Sequence, residues 1–193
     1  MNYYICSYGG CGSKCLLNYL KGFGNVKHIH SKNPPDKLQY IGKEKNGEAY
    51  EEHFNGIEIP EDELKNYKVI YIYRNPIYAI YSRFLNPEHL KHIECDPSIS
   101  LDDILHTKKD LYNISDFYKN YTSKNKKRNY KIVSVNYNII HDNIDKLNHV
   151  LNINTTKKIE KIEKVRKINH YNELYTIYEP LINIMNKIDI AIV

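Results

Sequence analysis

The stretch NYYICSYGGCGSKCLLNYL, residues 2–20, joins an apolar run to an amphipathic run through a glycine-rich turn. This order predicts a strand, a loop and a helix, with several backbone N–H groups meeting at the N-terminus of the helix. Such N–H groups, together with the helix dipole, bind anions. Glycine permits the left-handed backbone and the close approach that the loop needs. The stretch therefore predicts an anion site after a first strand, the alternative being a glycine-rich turn without a ligand.

The loop departs from the Walker pattern for nucleoside triphosphates. That pattern needs Gly directly before Lys and Ser or Thr directly after it, whereas Ser13 precedes Lys14 here and Cys15 follows it. The hydroxyl that would hold magnesium is therefore missing. Ser13 can still cap the helix or bind an anion, and Lys14 adds charge. The candidate anion-binding residues are Gly9, Gly10, Cys11, Gly12, Ser13, Lys14 and Cys15.

Strands and helices alternate along much of the chain. Further runs with strand character lie at 25–30, 69–73 and 130–135. Helical patterns lie at 13–23, 76–85, 111–121 and 138–153. This alternation predicts an α/β fold in three layers, a parallel sheet with helices on both faces. The length of 193 residues suits a single domain over 1–193.

Two segments depart from the alternation. Residues 31–66 are polar and contain several prolines and glycines, which predicts a long loop or lid. Residues 155–193 are first rich in Lys and Glu and then amphipathic. We expect this C-terminal part to be helical, with a helix that starts or is interrupted near Pro180.

Composition narrows the class of protein. The formal net charge of +5 is mild, and a nucleic-acid-binding protein is more often strongly basic with a recognisable reading motif, so we expect no nucleic-acid partner. The four cysteines form neither a CxxC pair nor a zinc-like spacing, which favours reduced thiols in a reducing compartment. Neither a signal peptide nor a membrane-length apolar window is visible. The expected location is the cytoplasm.

The residues that follow the strands do not suit a magnesium enzyme. A magnesium-dependent P-loop enzyme places an Asp at the end of another strand, but the strand ends read YRNP, VNYN and HIHS. Arg74 ends one strand, and Ser82 lies about two turns along the following helix, within reach of a phosphate near Arg74. One phosphate on the first loop and another between Arg74 and Ser82 imply a nucleotide with two separated phosphates.

The segment KVIYIYRNPIYAIYSRF, residues 68–84, resembles the 3′-phosphate segment of sulfotransferases that use 3′-phosphoadenosine 5′-phosphosulfate (PAPS). In that family a strand ends in Arg-Asn-Pro or Arg-Asp-Pro, and a Ser lies eight residues after the Arg. Arg74 and Ser82 match both positions. The first loop is similar to the family's 5′-phosphosulfate loop, with Gly12 and Ser13 in the place of Gly-Thr.

The resemblance extends over about residues 1–153 and implies roles for further residues. His30 takes the position of a catalytic His at the end of the family's short second strand, and Tyr137 falls on a Tyr that could stack on adenine or fill a core gap. Arg166 and Lys167 resemble a late basic pair used on the 3′-phosphate, the alternative being a solvated charged helix.

The sequence departs from the family at one charged position. Many members carry a catalytic Lys two residues before Gly-Thr, where this chain has Gly10. Lys14, Lys27 or His28 could replace the missing charge. Strand alternation places His28 on the same face as His30, and two such His side chains could also be a metal pair or merely surface residues.

The resemblance implies a P-loop NTPase-like sulfotransferase fold and a metal-independent reaction. PAPS would be the donor, and 3′-phosphoadenosine 5′-phosphate (PAP) would be the product. The acceptor would be a hydroxyl of a small molecule, a glycan or a protein, with His30 as general base and Lys14 supplying charge. Two alternatives remain open: a P-loop-type nucleotide or small-molecule kinase, and a nucleotide-binding module without catalysis.

Overall fold

A computed structural model describes residues 1–46, 49–86, 90–91, 93–159 and 167–193. The strands are β1 (Asn2–Ser7), β2 (Asn25–Ile29), β3 (Gln39–Asn46), β4 (Ala49–Glu58), β5 (Tyr67–Tyr73), β6 (Ile132–Asn136) and β7 (Ile190–Ile192). They form one seven-stranded sheet in the order β3-β4-β2-β1-β5-β6-β7. The neighbours from β4 to β6 pair in parallel. The predicted α/β class is therefore confirmed, and the predicted parallel pairing holds for these five strands.

Six α-helices are described, together with a short 3₁₀ turn at Leu64–Asn66. The helices are α1 (Ser13–Leu20), α2 (Pro76–Phe84), α3 (Leu101–Thr107), α4 (Ile114–Thr122), α5 (Ile144–Leu151) and α6 (Tyr171–Met185). None of the helices in the described ranges has the length and apolar character needed to span a bilayer.

The two faces of the sheet carry separate apolar clusters, because successive side chains of a strand point in opposite directions. Tyr3 and Ile5 of β1 belong to a cluster that α1 and α5 complete. Tyr4 and Cys6 belong to a second cluster, to which α2, α3, α4 and α6 contribute. Helices therefore pack on both faces of the sheet.

The second cluster contains eight buried tyrosines among its described residues. Tyr71 of β5 stacks on Tyr121, with ring centroids 4.6 Å apart, and Phe117 stacks on the same Tyr121 at 5.2 Å. A hydroxyl at the edge of this cluster reaches a backbone acceptor: Tyr8 donates to the Tyr112 carbonyl at 2.9 Å. A buried tyrosine can thus add apolar surface to the core while its hydroxyl keeps a hydrogen-bond partner.

The carboxyl ends of three adjacent strands meet at one edge of the sheet. The register pairs Cys6 with Ile29 and Ser7 with Ile72. The residues that directly follow β1, β2 and β5 are therefore neighbours, and this edge is where open α/β sheets bind ligands.

Both edges of the sheet depart from the predicted parallel arrangement. β3 pairs with β4 antiparallel, and β7 pairs with β6 antiparallel. The segment 31–66, predicted as a long loop or lid, contains the β3/β4 hairpin. An edge hairpin buries few side chains, and residues such as Ile41 and Phe54 pack on the core only in part. Its polar composition therefore does not look like a buried strand.

The C-terminal part also differs from the wholly helical prediction. α6 continues through Pro180 without ending there, and the chain then adds β7, a three-residue strand. Helix α3 was not predicted, although Ser100 and Asp103 form a capping box at its start.

Candidate functional site

The loop between β1 and α1 has the backbone that its glycines predict. The φ angles are 100° at Gly9, 64° at Gly10 and 77° at Gly12, a region where other residues are strained. Gly12 is the N-cap of α1, and no side chain caps that end. The Cys15 N–H bonds to the Gly12 carbonyl at 2.9 Å, whereas the N–H groups of Ser13 and Lys14 meet no backbone carbonyl in the described ranges.

The carbonyl groups around this loop are held by side chains that converge from β2, β5, α2 and the loop itself. The hydrogen bonds run from His30 Nδ1 to Ser7 O (2.7 Å), from Arg83 Nε to Tyr8 O (2.9 Å), from Cys11 Sγ to Gly9 O (3.2 Å) and from Arg74 Nη1 to Gly10 O (3.0 Å). Each bond fixes the plane of one peptide group.

The N–H groups of the loop point away from those carbonyls. The peptide bonds are trans, so each N–H lies opposite the preceding C=O. Within the described ranges, the N–H groups of Gly9, Gly10 and Cys11 make no hydrogen bond to a backbone carbonyl. Orphaned donors at a helix N-terminus form a cradle suited to an anion.

Arg74 and Ser82 meet at the same glycine. Arg74 donates to the Gly10 carbonyl at 3.0 Å, and a side chain at Gly10 would meet Ser82 Cβ at 2.6 Å and Ser82 Oγ at 3.0 Å. Arg74 Nε is buried without a hydrogen-bond partner among the described residues. The structure therefore brings both predicted phosphate residues to the loop and leaves an Arg74 donor unused.

Tyr137 also packs on the loop. Its ring occupies the space that a side chain at Gly12 would need, and its backbone N–H donates to the Tyr73 carbonyl at 2.7 Å. The Arg74 guanidinium lies 5.4 Å from the Tyr137 ring centroid and 4.7 Å from that of Tyr78. Two aromatic faces thus fix the guanidinium beside the cradle.

His30 lies on the other side of the loop, directly after β2. Its Nδ1 is 2.7 Å from Ser7 O. Because a carbonyl oxygen only accepts, Nδ1 must carry the hydrogen, and Nε2 of the neutral ring then carries the lone pair. As predicted from strand alternation, the rings of His28 and His30 are neighbours, with centroids 4.4 Å apart. Ser7 Oγ lies 3.1 Å from His28 Nε2.

Burial dominates the electrostatics of His28. It lowers the pKa of His28 to about 4; the Glu52 carboxylate opposes this shift, whereas Arg83 and Lys14 add to it. Glu52 accepts from the His28 backbone N–H at 2.8 Å and from Lys27 Nζ at 3.0 Å. Lys27 is therefore paired with Glu52. Lys14 is exposed, and its charge contributes to the lowered pKa of His28.

The thiols at the site are not poised for nucleophilic chemistry. Burial raises the pKa of Cys11 to about 11 and that of Cys6 to about 12. Both thiols stay protonated near neutral pH, and the protonated form is a poor nucleophile. Cys15 lies in the first turn of α1 and is only partly buried, and its neighbour Lys14 is exposed.

The structure describes only one residue of the predicted late basic pair. Arg166 lies outside the described residues. Lys167 is exposed in the segment that leads into α6, and Tyr171 at the start of that helix lies against Tyr78, with ring centroids 6.4 Å apart.

Sequence reasoning missed Arg83 and Tyr78, which share α2 with Ser82. Arg83 is 3% exposed and donates to the Tyr8 carbonyl, and its Nη2 lies in contact with His30 Nδ1 at 3.4 Å. A signal was present: Arg83 follows Ile77 and Ile80 at helical spacing, so it falls on the buried face.

No known protein family matches this chain, and neither a curated protein nor a solved structure matches it.

The burial of His28 predicts a pH dependence of stability. The pKa is about 4 in the folded chain and 6.5 for a solvated histidine, so the unfolded chain binds more protons between these values. Stability should therefore fall as pH drops from 6.5 toward 4, by up to about 1.4 kcal/mol per pH unit. Urea unfolding at several pH values measures this slope. His28→Gln keeps an acceptor for Ser7 and should flatten it; equal slopes would contradict the assignment.

Proposed function

We propose that the chain is a sulfotransferase that moves a sulfuryl group from PAPS to an acceptor hydroxyl without a metal. The observation that carries the proposal is the convergence on one loop of orphaned N–H donors, Arg74 and Ser82. The resemblance of 68–84 to the 3′-phosphate segment of PAPS-dependent sulfotransferases gives this convergence its chemical meaning.

The 5′-phosphosulfate would lie on the glycine loop. The N–H groups of Gly9, Gly10 and Cys11 would be its donors, since no backbone carbonyl in the described part of the chain takes them. Ser13 and Lys14 begin α1, where the helix dipole favours negative charge. As the bond between sulfur and the 5′-phosphate oxygen breaks, charge grows on the leaving phosphate, and preorganised donors stabilise it most at that stage.

The 3′-phosphate would bind between Arg74 and Ser82. The guanidinium is always charged and forks toward phosphate oxygens, and its Nε has no partner among the described residues. Tyr78 and Tyr137 hold the guanidinium from two sides. Tyr137 additionally offers a ring face near the loop for the adenine.

His30 would act as the general base. The acceptor oxygen attacks sulfur, the bond from sulfur to the 5′-phosphate oxygen breaks, and the acceptor proton moves to His30 Nε2. The hydrogen bond from Nδ1 to Ser7 O fixes the tautomer that leaves Nε2 basic. The in-line course of this transfer follows by analogy with phosphoryl transfer, in which the attacking and leaving oxygens lie roughly in line.

Lys14 would replace the lysine that the family has at the position of Gly10. Its charge reaches the histidine side of the loop, since it contributes to lowering the pKa of His28 after the larger effects of burial, Glu52 and Arg83. Lys27 is a weaker candidate because it is paired with Glu52 at 3.0 Å, and His28 is neutral near pH 7 because its pKa is about 4.

A transfer assay tests the proposal. The purified chain is incubated with PAPS carrying radiolabelled sulfate and a panel of glycan, peptide and small alcohol acceptors. Label should pass to at least one acceptor class in the presence of a chelator. PAP binding without transfer to any acceptor would instead favour a nucleotide-binding module without catalysis.

Arg74 provides a quantitative prediction. Removing a hydrogen-bonded charge from a bound phosphate costs about 1.5–3 kcal/mol, so Arg74→Ala should weaken PAP binding by about 10- to 100-fold. Arg74→Lys keeps the charge and should lose less. Calorimetric titration with PAP measures the affinity of both variants. Arg128→Lys is the control for loss of an arginine, because Arg128 lies before β6, at the end of that strand opposite to the site. Unchanged PAP affinity in Arg74→Ala would remove Arg74 from the site.

A further inference from the structure

Arg83 occupies a position where an aliphatic side chain is expected. The buried face of α2 consists of Pro76, Ile77, Ala79, Ile80 and Arg83, and Arg83 is only 3% exposed. Burying a guanidinium is costly unless its donors are satisfied. The groups that Arg83 contacts therefore indicate its role in the structure.

Those contacts lie at the point where β1 becomes the glycine loop. Arg83 Nε donates to Tyr8 O at 2.9 Å, and Nη2 approaches the same oxygen. The guanidinium also lies 5.8 Å from the Tyr8 ring centroid. The guanidinium also occupies the space that a side chain at Gly9 would need. The Gly9 backbone therefore lies directly against Arg83.

The same guanidinium touches His30. Nη2 lies 3.4 Å from His30 Nδ1, while Nδ1 itself reaches Ser7 O at 2.7 Å. The consecutive carbonyls of Ser7 and Tyr8 are thus taken by His30 and Arg83. Fixing the Tyr8 carbonyl also fixes the turn of the chain before it, because adjoining peptide planes share one Cα atom.

We propose that Arg83 is a positioning residue for both halves of the transfer site. By holding the Tyr8 carbonyl, it turns the Gly9 N–H toward the anion cradle. By holding the backbone that adjoins Ser7, it keeps Ser7 O aimed at His30 Nδ1 and so keeps Nε2 as the proton acceptor. The inference rests on the proposed function for its meaning in catalysis, but its geometric part can be tested without any substrate.

The first readout is the histidine tautomer, observed by ¹⁵N nuclear magnetic resonance of the imidazole nitrogens. His30 is assigned by comparison with His30→Asn. In the natural chain, Nδ1 of His30 should carry the hydrogen and Nε2 should not. In Arg83→Met, which keeps length but has no donor, the two tautomers should exchange and their signals should average.

The second readout is PAP affinity by calorimetry. Arg83→Met should bind PAP at least about 10-fold more weakly, because a misdirected Gly9 N–H loses a charge-assisted hydrogen bond. Arg83→Lys retains one donor for Tyr8 O and should be intermediate. Free guanidinium added at low millimolar concentration should restore part of the PAP affinity of Arg83→Met.

Two controls separate positioning from a merely structural role. Ile80→Val shortens a fully buried neighbour on the same helix face and should leave the His30 signals and PAP affinity unchanged. If Arg83→Met and Arg83→Lys both keep the natural His30 tautomer and PAP affinity, or if Ile80→Val disturbs them equally, the inference is overturned. If the natural chain binds no PAP, the proposed function fails, and the tautomer measurement still decides the geometric role of Arg83.

Discussion

Replacing His30 by asparagine should lower kcat for sulfuryl transfer by about 10²- to 10⁴-fold, the usual loss for a general base. The asparagine amide can still donate to the Ser7 carbonyl, which His30 Nδ1 reaches at 2.7 Å. It offers no proton acceptor at the place of Nε2. The substitution therefore removes the proton transfer while preserving the hydrogen bond that holds this part of the loop.

The measurement is steady-state transfer of labelled sulfate, with PAP affinity determined separately by calorimetry. PAP affinity should change by less than about threefold, because His30 is not placed among the phosphate-binding groups. His149→Gln, at an exposed position of α5, is the matched control and should keep full activity. A kcat of His30→Asn within about twofold of the natural value would show that His30 is not the base.

Gly9→Ala should cause the largest loss of stability of any single methyl addition in the loop. The new Cβ would collide with the Arg83 guanidinium, which is buried and already bonded to Tyr8 O. The φ angle of 100° adds backbone strain. Strain and overpacking together cost roughly 2–5 kcal/mol, and PAP binding should be lost with the loop geometry.

Urea unfolding measures this cost, and Gly56→Ala is the matched control. Gly56 also has a positive φ angle, 83°, but nothing in the described part of the chain lies within 4 Å of its added Cβ. It should lose only the backbone part, roughly 1–2 kcal/mol, and should bind PAP normally. Equal destabilisation by the two substitutions would mean that Arg83 does not press against Gly9.

The central strands were predictable because they are buried on both faces. The strand predicted at the start of the stretch 2–20 is β1 (Asn2–Ser7), and the predicted strand at 69–73 lies within Tyr67–Tyr73. Long runs of tyrosine, isoleucine and valine mark such strands whatever surrounds them. The glycine loop was equally readable, because its left-handed φ angles require glycine.

The edges of the sheet were not predictable in the same way. β3 and β4 carry polar side chains because one face of an edge hairpin stays in water, and β7 has only three residues. Short or half-exposed strands give little periodicity, and their pairing depends on neighbours distant in sequence.

Individual residues of the candidate site were predictable from the sequence, but the contacts between them were not. Arg74 and Ser82 could be placed from the strand-to-helix spacing, and the structure brings them to Gly10. Arg83 was not predicted as a site residue, because a charged residue on a helix is usually solvated. Only the three-dimensional arrangement shows that its guanidinium reaches the Tyr8 carbonyl.

The most direct measurement is calorimetric titration of the purified chain with PAP in the presence of a chelator, compared with ATP plus magnesium. A sulfotransferase site built on the glycine loop, Arg74 and Ser82 should bind PAP without magnesium at least about 10-fold more tightly than it binds ATP with magnesium. Tighter binding of magnesium-ATP would favour a kinase and contradict the proposal, as would a failure to bind PAP at any magnesium concentration.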